Sequence, residues 1–591
     1  MKVRTAHLRR LLSISNFSAP KRFNSDLKWS YITGEFPPFP LSNKTLGHII
    51  KDGSEKFSDR EAFVSIHQGI RKTFPEVYED AYRLAEAFSN IGFKQGDMIA
   101  IWAPNCYEWY LTQCASAIAG CVLVNVNPAY QKDELHYVLN KVPVKGLVCP
   151  STFKTQNYYD LISKVVPEIT SCNPGEINSE SAPHLKSVII IESPSNKKQE
   201  FKGTYCFQSL FESGGTSEDV AHIKSLENII QADDMFNIQF TSGTTGLPKA
   251  VALSHFSVIN NALLTGNRIG FDRKYHAFNL WVPFFHTFGC VGGSIGSLCY
   301  GSKLVIPSAG FDPIAYLKSI PTEKCTYLFG TPTMYVAVLE AQKKLKVDVS
   351  SVELGITGGS NCLVEVCEDF EKHLNMKSLM NIYGATETGP ATFVPSPEDS
   401  FEVRINTVGP PLGHVEAKIV DQNGKILPVN TPGELWVRTP GLMHGYYKDQ
   451  KSSEKAIGPD RYYHSGDLAM ITEKGYGKII GRLDDMVNRG GENIYPKEIE
   501  DFLLKHPNIV EVYIIGVPDD YMGEELCAWI CLEEGAKEFD LKEYCTGKIA
   551  HFKIPKYSMF VKDFPKTLSG KVKKLEMRGI STEKLGLKKS S

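Results

Sequence analysis

Nowhere among the 591 residues do two of the 14 cysteines stand in a C-x-x-C pair. The nearest neighbours, Cys362/Cys367 and Cys527/Cys531, match no structural zinc spacing, and a chain this long has no need of disulfide staples. The thiols are expected to be reduced and mostly buried, as in an intracellular compartment. An excess of charge is lacking too: 65 Lys+Arg stand against 67 Asp+Glu, a formal net charge of -2. That balance gives no electrostatic reason to expect nucleic acid as a partner. Long apolar runs are scarce. A charge-free stretch about long enough to cross a bilayer, residues 280–300, is broken by Pro283, Gly289, Gly292, Gly293 and Gly296 and holds His286. It reads as a buried strand and helix lining a pocket, so no transmembrane segment is expected. Finally, no acidic residue precedes Asp26, while Lys2, Arg4, Arg9, Arg10, Lys21 and Arg22 do, with four serines. A basic, serine-bearing, acid-free start has the composition of a mitochondrial transit peptide, assigned here to residues 1–25.

The rest of the chain is long enough for about two to four folded units. Short apolar runs at 98–102, 122–126, Ser187–Ile191 and Lys303–Ile306 read as strands buried on both faces. They alternate with helical stretches, which argues for an α/β fold with mostly parallel sheets. Segments 172–184 and 193–200 are polar and proline-bearing and read as surface loops. A second unit opens near residue 484. There Pro496 starts a helix that places Ile499, Phe502 and Leu503 on one face. Strands are expected at 510–515 and 526–532, with a turn at 516–520, giving a small α+β unit.

The sharpest motif is Thr241-Ser242-Gly243-Thr244-Thr245-Gly246-Leu247-Pro248-Lys249, leaving the apolar segment 236–240. Glycines turn backbone N–H groups inward, hydroxyls add donors and the lysine adds charge, which together make a phosphate cradle. The spacing is not that of the usual NTPase loop. Further along stand Tyr383-Gly384-Ala385-Thr386-Glu387-Thr388, Tyr463-His464-Ser465-Gly466-Asp467-Leu468, Gly481-Arg482-Leu483-Asp484-Asp485 and Pro565-Lys566-Thr567-Leu568-Ser569-Gly570-Lys571.

Five such motifs in this order resemble the adenylate-forming superfamily of acyl-CoA synthetases, peptide-synthetase adenylation domains and firefly luciferases. Within it the resemblance is strongest to mitochondrial medium-chain acyl-CoA synthetases. The resemblance implies a large N-terminal AMP-binding domain at 45–483 and a small mobile α+β domain at 484–580. It implies ATP, Mg²⁺ and coenzyme A as co-substrates and cofactor, a fatty acid as the acid, and the mitochondrial matrix as the site of action. It further implies that Thr241 to Lys249 embrace the β- and γ-phosphates and that Glu387 holds Mg²⁺. Asp467 and Arg482 would take the ribose, with Thr386 close by. Tyr383 would stack on adenine, with Gly359 and Ser360 walling the other side. Lys571 would bridge the attacking carboxylate and the α-phosphate. Asp484 would be the hinge, and Gly490 and Gly491 would let pantetheine pass.

The acid is legible in part. Amino-acid-activating members carry an aspartate before the acyl pocket, whereas this chain has Pro283-Phe284-Phe285-His286-Thr287-Phe288-Gly289, with Phe285 and His286 as candidate pocket walls. Acetate-restricted members carry a tryptophan where this chain has Gly384, so a longer acid is expected. An aromatic acid such as a cinnamate is the alternative substrate, and a luciferase-type oxygenase the alternative activity.

Overall fold

The computed structural model describes residues 27–192, 201–215, 217–241, 248–358, 364–490, 492–520, 522–566 and 572–587. Residues 1–25, read as a transit peptide, and the expected loop at 193–200 lie outside them.

Among the described residues, the two largest sheets draw their strands from residues 61 to 446. The eight-stranded sheet runs Thr204–Cys206, Ser187–Ile191, Val144–Pro150, Met98–Ile101, Val122–Asn125, Met235–Thr241, Lys249–Ser254, Gly445–Tyr446. It is parallel as far as Met235–Thr241 and antiparallel beyond. The seven-stranded sheet runs Ser378–Ile382, Leu354–Gly358, Tyr327–Phe329, Ala277–Leu280, Lys303–Ile306, Glu61–Ser65, Ile70–Thr73, antiparallel only at its last pair. The four apolar runs named from the sequence are strands of these sheets, two of them one residue shorter. Every residue of Ser187–Ile191 and Lys303–Ile306 is buried, as strands covered on both faces require. A third, antiparallel sheet follows: Tyr31–Thr33, Glu416–Val420, Gly433–Arg438, Tyr463–Ile471, Gly477–Arg482.

The charge-free stretch becomes what its glycines permit. After the strand Ala277–Leu280 the chain forms a π-helix, Phe288–Ile295, and a short α-helix, Gly296–Tyr300. A Cβ on Gly289 would lie 2.2 Å from the Pro283 carbonyl oxygen, so backbone approaches too closely there for any side chain, and one on Gly293 would press on the Leu280 side chain at 2.5 Å. Among the described residues no helix is long and apolar enough to cross a membrane.

The buried apolar residues from Leu46 to Ile471 pack in two clusters, and those from Val487 to Met577 in two others. The later unit is a sheet of Glu492–Ile494, Val487–Arg489, Gly523–Leu532 and Ile509–Asp519, with Tyr557–Phe560 parallel to Gly523–Leu532. The helix Pro496–Leu503 opens on its proline and buries Ile499 and Leu503, with Phe502 half-buried against them. The expected turn at 516–520 is corrected: the strand Ile509–Asp519 runs through it, with Pro518 opposite Glu524. That strand lies at the sheet edge, where a proline's missing N–H faces no neighbour. Nine of the thirteen described cysteines are buried.

Candidate functional site

The glycine- and hydroxyl-rich motif joins two antiparallel strands. Thr241 and Lys249, at the two ends of the motif, are register partners. Residues 242–247, hence Ser242, Gly243, Thr244, Thr245, Gly246 and Leu247, lie outside the described residues. At the loop's far end the Tyr137 hydroxyl donates to the Pro248 carbonyl at 2.8 Å. The Lys249 ammonium sits over the Tyr446 ring, 4.8 Å from its centroid. The Tyr446 hydroxyl in turn donates to Glu387 Oε1 at 2.9 Å. One tyrosine thus receives a cation on its face and donates to a carboxylate at its tip. Burial, and then the Glu387 charge, push the Tyr446 phenol well above its usual range, so it remains a donor. Glu387 is 9% exposed, on the single turn Thr386–Thr388, and its carbonyl accepts from Met443 N–H at 2.9 Å. Among the described residues no group of three His, Cys, Asp or Glu side chains is arranged to hold an ion.

A second cluster forms where the antiparallel sheet meets the seven-stranded one. Asp467 and Arg482 stand 15 residues apart in sequence but directly opposite one another on Tyr463–Ile471 and Gly477–Arg482. Arg482 Nη1 donates to Asp467 Oδ1 at 2.9 Å and to the Ser465 carbonyl at 3.3 Å. The Tyr383 hydroxyl donates to the other carboxylate oxygen, Oδ2. Asp467 is 8% exposed, so these donors replace the water it has lost. Burial alone would lower the Arg482 pKa, but Asp467 outweighs it and raises it. The Tyr383 phenol is pushed well above its usual range by burial and by Asp467. This contact was not foreseen for Tyr383, whose ring leans edge-on against Phe393. Gly358 and Ile382 are register partners one residue before Gly359 and Tyr383, but Gly359 and Ser360 lie outside the described residues. Gly384 is exposed, and a Cβ there would lie 1.8 Å from the Pro390 carbonyl oxygen. In this structure the missing side chain therefore gives room to backbone, a role the sequence did not suggest.

In the segment expected to wall an acid, Phe284 is fully buried and stacked on Trp109, with ring centroids 4.9 Å apart. Phe285 is half-buried and His286 exposed. His286 Nδ1 accepts from Phe288 N–H at 3.2 Å, and its carbonyl accepts from Gly289 and Cys290 N–H at 2.9 and 3.0 Å.

The strand that carries Arg482 leads at once to Asp484, which is exposed. Leu483 N–H is bonded to the Gly466 carbonyl at 2.8 Å. Past it, Lys574 lies 3.0 Å from Glu500 Oε1 and 3.6 Å from Asp485 Oδ2. Burial lowers the Lys574 pKa, but the two carboxylates outweigh it and hold the ammonium charged. Gly490 has φ +60°, the left-handed region that favours glycine, and donates to the Met522 carbonyl at 2.9 Å. Gly491 and Lys571 lie outside the described residues. On either side of the last motif Lys566 pairs with Val572 in an antiparallel bridge.

A family model described as AMP-binding enzyme matches residues 50–447, two thirds of the chain. The chain belongs to the AMP-binding enzyme family. A second model, the AMP-binding enzyme C-terminal domain, matches residues 498–571. Relatives include a Danio rerio protein named medium-chain acyl-CoA ligase ACSF2, mitochondrial, which is 43% identical over 95% of this chain and 92% of its own. The Homo sapiens protein of the same name is 40% identical over 91% and 88%. Among solved structures, ATP-bound MatB from Rhodopseudomonas palustris aligns with TM-score 0.78 at 26% identity over 92% of this chain and 99% of its own. As an AMP-binding enzyme the chain activates an acid with ATP. Its Asp467 and Arg482 fall between the two matched ranges, and their pairing comes from the structure rather than from either model. Sequence reading missed Tyr446 and Lys574 in this AMP-binding enzyme. Tyr446 lies in a Gly-Tyr-Tyr stretch without period, and the pairing of Val251 with Tyr446 is what brings it beside Lys249.

Proposed function

We propose that this enzyme joins a medium-chain fatty acid to coenzyme A through an acyl-adenylate. The observation that carries the reading is its 43% identity, across nearly the whole chain, to a protein named a medium-chain acyl-CoA ligase. In the first half-reaction a carboxylate oxygen of the acid attacks the α-phosphorus of ATP, and pyrophosphate leaves. In the second the thiolate of coenzyme A attacks the acyl carbonyl, and AMP leaves with the electron pair. We assign the two units to residues 45–483 and 484–580, the second turning about Asp484 between the steps.

Two anions must meet in the first step, so the site needs cations and oriented donors. Thr241 to Lys249 supply both to the β- and γ-phosphates, and Tyr446 holds Lys249 and Glu387 in place. Asp467 accepts from the ribose hydroxyls, with Arg482 and Tyr383 orienting its two oxygens. Lys571 stabilises the charge that builds at the α-phosphate. Glu387, an oxygen donor beside the phosphate loop with one oxygen already fixed by Tyr446, fits a hard cation that keeps phosphate and water ligands, and would hold Mg²⁺ there. That ion, when bound, draws negative charge off the phosphates. Phe285 and His286 border the acid.

The test is a panel of C2 to C18 acids, with cinnamate and benzoate alongside, scored for pyrophosphate release and for thioester. Medium-chain acids give the highest kcat/KM and acetate the lowest, because a short acid buries too little area to bind. A panel led by cinnamate overturns the choice of acid, and light in place of thioester overturns the ligase.

We further propose the mitochondrial matrix as its location, on the basic N-terminus and on relatives whose names include the organelle. A fusion of residues 1–30 to a reporter enters mitochondria if this is right. Diffuse cytosolic signal removes the address.

A further inference from the structure

The face of the strand Met235–Thr241 that ends in the phosphate loop is polar where a buried parallel strand is ordinarily apolar. Side chains alternate along a strand, so Asn237, Gln239 and Thr241 share one face. Gln239 lies opposite Asn125 on the neighbouring strand. Asn125, Asn237 and Gln239 are each at most 3% exposed. Their amides form a chain with one direction. Gln239 Nε2 donates to Asn237 Oδ1 at 2.6 Å, and Asn237 Nδ2 donates to Asn125 Oδ1 at 3.1 Å. Asn125 Nδ2 then reaches the carbonyls of Phe284 and Phe285, both at 3.5 Å. A second branch ends on Cys290, whose Sγ accepts from Gln239 at 3.2 Å and from Asn125 at 3.6 Å. Cys290 sits in the first turn of the π-helix, a helix form that is rare and concentrated at functional sites.

Buried amides cost free energy unless paired, and a paired chain in a low-dielectric interior fixes one arrangement against its neighbours. This chain joins the strand that ends in the phosphate loop to two carbonyls just before His286 and to the Cys290 side chain after it. We propose that Gln239 and Asn125 are positioning residues for the acid: through Cys290 and the two carbonyls they set the depth of the acyl wall relative to the phosphate strand. The proposal rests on the reading of residues 283–289 as the acid's wall. The proposed ribose contacts, Asp467, Arg482 and Tyr383, stand outside this strand.

Gln239→Leu removes the donor to both branches. Cys290→Ala removes the acceptor, and Cys290→Ser restores one. The full-length protein and these variants are assayed by acid-dependent pyrophosphate release, with KM measured separately for a medium-chain acid and for ATP. Gln239→Leu and Cys290→Ala raise the acid KM about tenfold and flatten the chain-length profile, since small displacements at a reacting group are costly. The ATP KM stays within about twofold, and Cys290→Ser behaves like the wild type. An unchanged acid KM, or acid and ATP KM rising together, overturns the proposal. If Gln239→Leu does not fold, the Cys290 pair decides by the same criteria. Wild-type protein without acid-dependent release overturns the functional reading, and this inference with it.

Discussion

Lys571→Ala lowers acyl-adenylate formation by about a hundred- to a thousandfold, the usual loss when one electrostatic contact to a developing charge is removed. On the proposed function the lysine is needed only while the carboxylate and the α-phosphate are being joined. The same variant, given synthetic acyl-adenylate, therefore transfers the acyl group to coenzyme A at a near-normal rate. Gly491→Leu does the opposite: it makes adenylate and fails to pass it on, because a side chain there crowds the pantetheine path. Pyrophosphate release from acid and ATP, set against thioester formation from acyl-adenylate, reads the two steps separately. Equal loss of both steps in both folded variants removes the alternation about Asp484.

The next largest effect is at Asp467. Asp467→Ala raises the KM for ATP about ten- to a hundredfold, the equivalent of losing hydrogen bonds to a charged acceptor worth about 1.5–3 kcal/mol. The structure adds a reason beyond the ribose. The carboxylate takes Arg482 on one oxygen and Tyr383 on the other, so alanine releases these two side chains as well as the ribose. The KM for the acid, whose wall is built on other strands, moves little. An unchanged ATP KM excludes Asp467 from the nucleotide site.

The parallel sheets were legible because strands covered on both faces need unbroken apolar runs, and Ser187–Ile191 and Lys303–Ile306 have them. The phosphate motif, Glu387, Asp467 and Arg482 were legible as residues in order, but their contacts were not. Asp467 meets Arg482 because a turn at 472–476 and a bulge between Leu468 and Ala469 set that register, and neither is visible in composition. The turn expected at 516–520 failed for a related reason: proline reads as a break until the strand is known to be an edge. The amide chain escaped notice because 236–240 looked simply apolar. Two amides in such a run acquire meaning only when a neighbouring strand supplies Asn125. Tyr446 and Lys574 depend in the same way on partners that the fold brings from a distance.

The hydrogen bond from Leu483 to Gly466 lies between the Asp467–Arg482 pair, proposed to take the nucleotide, and Asp484, proposed as the pivot of the smaller unit. Arg482 and Asp484 are separated by that one residue. A rotation at Asp484 thus acts on the backbone that aims Arg482, and a ligand drawn against Asp467 and Arg482 acts on the backbone that aims the smaller unit. Linkage makes such an effect reciprocal. Whatever factor bound nucleotide contributes to one orientation, that orientation returns to the nucleotide's affinity, with couplings of this kind typically about 1–3 kcal/mol.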